Sequence, residues 1–113
     1  MPNAVLNRTK YKNQPVIRNG RRFASLHEAD VALQLQSLES SGAIKCLEYQ
    51  IPFEILPSQK KLGYTRPLTY IADFVFLRDN EFVVADAKGY KTEVYKLKKR
   101  LLAQLHNITI EEM

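Results

Sequence analysis

Two apolar segments joined by a short polar link constrain this sequence more than any other feature. They cover residues 70–76 and 82–89, and β-branched and aromatic residues crowd both of them, as is typical of β-strands. The link is turn-like, so the segments are predicted to pair as an antiparallel hairpin. Strand side chains alternate between faces, which places Asp86 and Lys88 on one face; the partner strand carries Asp73. Burying charges is costly unless they pair or bind a metal, so these three residues are the first candidates for a functional site.

The length and composition are those of one small globular domain. The chain has 113 residues, of which 45% are hydrophobic and 26% charged, so we expect one folded core. We predict a single domain over residues 14–113 and a flexible basic arm over residues 1–13.

The charge balance favours an anionic partner. A formal net charge of +5 is typical of proteins that bind a polyanion, most simply nucleic acid. Many small basic proteins bind nothing anionic, so the charge alone leaves both interpretations open.

Several other classes of protein are disfavoured. The single cysteine, Cys46, excludes an intramolecular disulfide and a cysteine-rich zinc site. No apolar run is long enough to cross a bilayer, and the N-terminus lacks the apolar core of a signal peptide. The sequence therefore predicts a soluble intracellular protein that contacts no membrane and carries no organic cofactor.

The first third of the chain predicts a hairpin followed by a helix. Asn-Gly at residues 19–20, between two short strand-like runs, is a strong hairpin signal. Ser25 and Glu28 form a capping-box pattern that opens the helix, and Gly42 is well placed to end it. Its apolar stripe is predicted to consist of Leu26, Ala29, Leu33 and Leu38, widened by Val31, Ala32 and Leu35.

The remainder predicts three strands, a second helix and a last strand. Residues 44–56 precede a polar connection and the central hairpin, and Thr92 is a plausible N-cap for the second helix. The core stripe of that helix is predicted to be Val94, Leu97, Leu101 and Leu105. Residues 108–110 read as a strand reached by a right-handed parallel crossover. The predicted class is α/β (α+β), with αβββαβ order, a mixed sheet flanked by two helices, and an N-terminal β-hairpin.

A divalent cation is the ligand that the charged residues suggest. Mg²⁺ prefers oxygen ligands and keeps several waters, so one or two carboxylates are enough. Adjacent strands lie ~5 Å apart, so Asp73 and Asp86 can share a cation if the register brings them together. The first helix could deliver Glu28 to the same place. Lys88 beside such a metal could ease hydroxide formation or stabilise charge on a phosphorane-like transition state.

Each of these residues also has a simpler interpretation. Asp73 could cap a turn or pair with an arginine, and Asp86 and Lys88 could form an ordinary ion pair. Glu28 is explained by its capping role, and Gln50 could bond to a backbone group. Asp-x-Lys alone is a weak motif, and its context strengthens it: an aspartate on the preceding strand, a glycine directly after, and a basic helix next.

The order of elements and the positions of these residues resemble the PD-(D/E)XK nuclease superfamily. More narrowly, the chain resembles a family of small phage and prophage proteins placed within it, from about Asn19 to the C-terminus. Ala72 stands where the superfamily name has proline, a position that varies among its members. The segments that carry the resemblance are FASLHEA (23–29), GAI (42–44), QIPFEILP (50–57), YIADF (70–74), DAKG (86–89) and TEVYKLK (92–98).

The resemblance implies a restriction-endonuclease-like core and a role for each residue. Asp73, Asp86 and the Ala87 carbonyl would hold Mg²⁺ or Mn²⁺, with Glu28 binding the metal directly or through water. Lys88 would orient or activate the attacking water. Supporting or DNA-contacting roles are expected for Gln50, Tyr95, Lys98, Arg21, Arg22, Lys91 and Lys99.

The expected function is metal-dependent hydrolysis of DNA phosphodiesters by an endonuclease of phage type, acting in the cytoplasm of a bacterial host. A chain of this size has little room for a base-reading module, so selectivity for DNA structure is expected, with roles in recombination, repair or packaging. Cutting two strands would favour a homodimer. The alternatives are a catalytically weak nucleic-acid-binding accessory protein on the same fold, and a protein-interaction module.

Overall fold

Six β-strands and two α-helices follow one another in residues 14–113, the part of the chain that the computed structural model describes. The predicted basic arm at residues 1–13 lies outside the described residues. The predicted class is confirmed, because the fold is α+β with a mixed four-stranded sheet, a separate hairpin and two helices. The elements are β1 (Val16–Arg18), β2 (Arg21–Phe23), α1 (Leu26–Ser41), β3 (Lys45–Leu56), β4 (Leu68–Arg78), β5 (Glu81–Asp86), α2 (Glu93–His106) and β6 (Ile110–Glu112).

Both predicted hairpins are present, and each closes through a two-residue turn with positive φ. Asn19 and Gly20 join β1 to β2 with φ of 52° and 77°. Asp79 and Asn80 join β4 to β5 with φ of 54° and 62°. Turns of this kind match the right-handed twist of paired strands, and Asn, Asp and Gly tolerate them best. Local turn chemistry therefore sets both hairpins.

The four-stranded sheet has the order β3-β4-β5-β6. β3 and β5 pair with β4 in antiparallel fashion, whereas β6 pairs with β5 in parallel fashion after the crossover through α2. Adjacent residues Phe74 and Val75 of β4 belong to two different apolar clusters, one containing residues of α1 and the other residues of α2. Since strand side chains alternate, the two helices cover opposite faces of the sheet.

The predicted apolar stripe of α1 is wrong in part. Leu26, Leu33 and Leu38 are exposed, and the buried residues are Glu28, Ala29, Val31, Ala32 and Leu35. Apolar residues occur all around this helix, so its pattern does not single out one face. The buried face carries two alanines, which allow the helix to lie close to the sheet, and it includes a glutamate that hydrophobic patterning would assign to solvent.

The predicted stripe of α2 is also wrong in part. Leu101 packs partly buried against the core, but Val94, Leu97 and Leu105 are at least half exposed, and the fully buried residues are Tyr95 and Leu102. Lys98 and Lys99 lie between them on the same face and are partly buried. Lysine stems are apolar and can cover a core while their charged ends reach solvent. A stripe chosen from apolar residue types alone therefore missed the buried face of α2.

Candidate functional site

Three polar residues lie side by side on the three neighbouring strands β3, β4 and β5. The β4–β5 ladder ends at the pair Phe74–Ala85, and the next residues on the two strands are Asp73 and Asp86. On the other side of β4, the register places Gln50 of β3 opposite Asp73. The sheet therefore brings the two aspartates together as the sequence analysis required.

The two aspartates replace the ladder with bonds between side chain and backbone. The Asp73 N–H donates to Asp86 Oδ1 at 2.9 Å, and the Ala87 N–H donates to Asp73 Oδ2 at 3.0 Å. Each carboxylate thus takes a backbone donor from the opposite chain segment at the point where regular pairing ends. Bonds to charged acceptors are among the stronger hydrogen bonds, so both carboxylates are held in one orientation.

Glu28 joins this group from α1 through Gln50. The Gln50 side-chain amide donates to Glu28 Oε2 at 3.1 Å and makes a longer contact of 3.4 Å with Asp73 Oδ1. Glu28 is 6% exposed, and its N–H is anchored by the Ser25 N-cap at 3.0 Å. The side chain of an N-terminal helical residue is therefore directed at the sheet instead of at solvent.

Gln50 adopts an unusual backbone conformation at this point. Its φ is 54°, in the left-handed region, although it lies inside β3. For a residue other than glycine this conformation costs about 1–2 kcal/mol, and such strain clusters at functional sites. The strain coincides with the one amide that bridges Glu28 and Asp73.

Lys88 approaches the group from beyond the end of β5. Lys88 was predicted to lie on the strand, but β5 ends at Asp86. Lys88 Nζ lies 2.6 Å from Asp86 Oδ2 as an ion pair and 4.3 Å from the centroid of the Tyr95 ring. Asp86 is fully buried, and its Oδ2 makes no hydrogen bond of regular geometry in the described part of the chain. Lys88 is thus held between a carboxylate and an aromatic face.

A fourth carboxylate, Glu112 on β6, organises the residues behind Lys88. The Tyr95 hydroxyl donates to Glu112 Oε2 at 2.7 Å. Lys99 and Lys91 form ion pairs with the same carboxylate at 3.0 and 3.4 Å. Tyr95, Lys91 and Lys99 were expected to support the site or contact DNA, and the structure brings all three together around Glu112. Glu112 was not among the predicted residues, since only the crossover brings β6 beside α2.

Tyr70 is a further residue that the sequence analysis missed. Its side chain is buried, and its hydroxyl faces the Asp86 carboxylate without reaching hydrogen-bond geometry. Burial, followed by the nearby Asp86 carboxylate, raises the pKa of this phenol above its ordinary value. A tyrosine at the start of an apolar strand was the available signal, because a buried hydroxyl requires a polar neighbour.

Burial, and after it the crowding of the carboxylates, disfavours negative charge at the site. Burial raises the pKa of Asp73 to about 7, with Asp86 and Glu28 adding to the shift, while the Ala87 N–H and Lys88 act in the opposite direction. Burial also raises the pKa of Glu28. The site therefore carries more negative potential than its one ion-paired lysine offsets, which favours the binding of a cation.

The donor set fits Mg²⁺ or Mn²⁺ in its chemistry. Carboxylate and carbonyl oxygens are the ligands that these hard cations prefer, and Asp86 Oδ2 is a buried oxygen without a regular hydrogen bond. Within residues 14–113, however, no three His, Cys, Asp or Glu side chains are arranged to hold an ion as they stand. Lys88 and Gln50 contact the same oxygens that an ion would use.

Two cavities adjoin the carboxylates. The first, the α1-side cleft, has a volume of about 580 Å³, and the second, the α2-side cavity, has about 330 Å³. The α1-side cleft is lined by Pro15, Arg22, Phe23, Ala24, Glu28, Gln50 and Asp73. The α2-side cavity is lined by Thr69, Tyr70, Ile71, Lys88, Thr92, Val94, Tyr95 and Lys98.

The remaining predicted residues lie around these cavities. Arg22 lines the α1-side cleft, whereas the guanidinium of Arg21 lies 3.9 Å from the centroid of the Tyr49 ring. Lys98 lines the α2-side cavity. Of the twelve predicted residues, only Arg21 therefore neither lines one of these two cavities nor belongs to or contacts the Asp73–Asp86 pair or Glu112.

Comparison with known proteins gives one match. The model of a family described as "Protein of unknown function (DUF1064)" matches residues 8–111. No curated protein and no solved structure matches the chain. None of the helices in the described residues is both long and apolar enough to cross a membrane.

Proposed function

The chain belongs to the DUF1064 family, and we propose that it is a metal-dependent nuclease of PD-(D/E)XK type that hydrolyses DNA phosphodiesters. The observation that carries the proposal is the meeting of Glu28, Asp73, Asp86 and Lys88 at the point where the β4–β5 ladder ends. Three segments that are distant in sequence converge there, and Glu28 and Asp86 are buried, whereas Asp73 and Lys88 are partly exposed.

Asp73, Asp86 and the Ala87 carbonyl would hold the ion, with Glu28 as a further ligand, either directly or through water. When bound, Mg²⁺ or Mn²⁺ would lower the pKa of a water molecule and stabilise negative charge on the phosphodiester. The reciprocal bonds of Asp73 and Asp86 with the backbone preorganise their carboxylates. Gln50 holds Glu28 and Asp73 near each other, so that the third carboxylate faces the same point.

Lys88 orients or activates the attacking water in this proposal. Its Nζ is kept in place on one side by Asp86 and on another by the Tyr95 ring. Tyr95 is in turn fixed by its hydrogen bond to Glu112. A positioned cation next to the reacting phosphate stabilises charge that develops in the transition state, without needing to move during the reaction.

The charge distribution supports a DNA substrate bound through its backbone. The chain carries a formal net charge of +5, and Arg22 and Lys98 line the two cavities that adjoin the carboxylates. Contacts to phosphates position a duplex without reading its sequence, which favours selection of DNA structure over sequence. Cleavage of both strands by a homodimer, in the cytoplasm of a phage host, completes the proposal.

Cleavage assays on three DNA forms test this function. The protein is incubated with duplex, single-stranded and four-way-junction DNA, with and without Mg²⁺ or Mn²⁺, and we expect metal-dependent cleavage. Asp73→Asn is expected to abolish cleavage, whereas Asp30→Asn, an exposed acidic residue on α1, should retain it. Cleavage by Asp73→Asn, or cleavage that survives Asp86→Ala, would contradict the site assignment.

A catalytically weak nucleic-acid-binding protein is the second candidate, and one observation favours it. Lys88 occupies one oxygen of Asp86, and no set of three ligands in the described residues is ready to hold an ion. Tight binding to DNA without cleavage in either metal would support this alternative. Failure to bind any nucleic acid would instead support a protein-interaction module.

A further inference from the structure

We propose that the α2-side cavity is a subsite for one unpaired nucleotide of the DNA strand, next to the phosphodiester that is cut. The inference rests on the proposed nuclease function and names the form of substrate that it takes. It makes the preferred DNA a strand with an unstacked base at the site, such as a fork, a flap or a single strand.

The walls of the α2-side cavity suit the face of a base. Ile71 on β4 is 54% exposed and Val94 on α2 is 63% exposed, although both are apolar. The rings of Tyr70 and Tyr95 also contribute to the lining and pack against each other at 6.1 Å between centroids. Exposed apolar side chains gathered in a cavity typically mark a binding site, and bases bind such surfaces with little regard to sequence.

The polar residues of the cavity suit a phosphate. Lys88 and Lys98 line it, and no Asp or Glu is among the described residues of its lining, although Asp86 lies directly behind Lys88. On α2, Lys96 and Lys99 are paired with glutamates. Lys98, by contrast, forms no ion pair within residues 14–113, so its charge is available to a ligand.

The size of the cavity limits what it can hold. Its volume of about 330 Å³ lies at the low end of the ~300–1,000 Å³ that is typical of small-ligand sites. This volume is suited to one nucleoside, and in the proposal that nucleotide has left the duplex. Bases that are already unpaired avoid the unstacking cost of a few kcal/mol, which gives the preference for forks, flaps and single strands.

Lys88 connects the cavity to the carboxylates. It lines the cavity and also contacts Asp86 at 2.6 Å. A nucleotide seated on Ile71 and Val94, with its phosphate near Lys88, would therefore place an adjacent phosphodiester at the Asp73–Asp86 pair.

The contribution of the base can be measured with two matched ligands. Affinities of the full chain are determined in EDTA, where no cleavage occurs, for a thymidine hexanucleotide and for an abasic hexamer with the same phosphates. We expect the thymidine hexanucleotide to bind at least about fivefold more tightly, the factor that corresponds to ~1 kcal/mol for one base. Equal affinities would overturn the subsite, because phosphates alone would then account for binding.

Substitutions at two exposed residues show where the base binds. The double variant Ile71→Ser, Val94→Ser should reduce the ratio of the two affinities to near one, without changing the net charge. Leu33→Ser, an exposed leucine on α1 that lines neither cavity, is the matched control and should leave the ratio unchanged. A ratio that stays high in the double variant would show that the base binds elsewhere and would overturn the proposal.

Cleavage of a forked DNA and a blunt duplex in Mn²⁺ separates the two proposals. If the ratio of the two hexamer affinities depends on Ile71 and Val94 but neither DNA is cleaved, the nuclease function is overturned and the subsite is supported. Cleavage with no preference between the hexamers overturns the subsite and supports the nuclease function. Preferential cleavage of the fork that is lost in the double variant supports both.

Discussion

Replacing Asp73 by asparagine should make the protein more stable at alkaline pH while removing its activity. The carboxyl group is crowded by Asp86 and Glu28, and its pKa is raised from 3.8 to about 7, chiefly by burial. Between these two values the folded state keeps a proton that the unfolded chain has already released. The free energy of unfolding therefore falls as the pH rises through this interval, and the loss is complete above about 7.

The size of the effect follows from the shift. A shift of about 3 pKa units corresponds to ~4 kcal/mol, and solvent screening of a half-buried carboxyl reduces this to ~2 kcal/mol. Asparagine is uncharged at every pH, so Asp73→Asn should gain ~2 kcal/mol near pH 8 and close to nothing near pH 4.

Urea unfolding near pH 4 and near pH 8 measures this difference. Asp30→Asn, at an exposed position on the same helix as Glu28, controls for the change in net charge and should show no comparable gain. If Asp73→Asn gains no stability near pH 8, or gains the same amount at both pH values, then burial and the neighbouring carboxylates do not raise the pKa of Asp73 as its geometry indicates.

Three further outcomes are expected. Mn²⁺ at about 100 times its Kd should stabilise the wild type by ~2.7 kcal/mol, seen as a rise in Tm that is absent in Asp73→Asn; an unchanged Tm of the wild type across millimolar Mn²⁺ would exclude a metal site there. Leu102→Ala should cost ~2–5 kcal/mol in urea unfolding, whereas Leu105→Ala, at a half-exposed position, should cost less than ~1 kcal/mol. Equal costs would mean that the buried face of α2 is misassigned. The hydrogen bond from Tyr95, together with Lys99, lowers the pKa of Glu112 to about 2, so its stabilising effect is present at neutral pH and is lost as the pH falls toward 2. Glu112→Gln should therefore cost ~1 kcal/mol near pH 7 after screening is allowed for, and little near pH 2; a cost that does not change with pH would contradict the charge-based role.

Most residues of the candidate site could be predicted from the sequence, but the contacts between them could not. Asp73, Asp86 and Lys88 stand out in sequence because charges interrupt apolar strands, a signal that needs no partner to be visible. Gln50 became a link between Glu28 and Asp73 only through the β3–β4 register.

The residues that support the site from behind could not be predicted from the sequence either. Glu112 carries no sequence signal of a role, and the only signal at Tyr70 is a tyrosine in an apolar strand, because each residue gains its neighbours from another strand or from the crossover helix. Which residues share a site in a sheet depends on pairing between distant segments, and a shift of one residue would reverse every side chain.

The sequence by itself determined the types and order of the elements, since turns, caps and alternation depend on neighbours a few residues apart. Both hairpin turns, the cap at Ser25 and the order of helices and strands follow from such signals. Only the tertiary structure decided which face of each helix is buried, because apolar residues occur on competing faces of α1 and lysine stems complete the buried face of α2. It also decided that three carboxylates from α1, β4 and β5 meet, because that meeting is set by register and long-range packing.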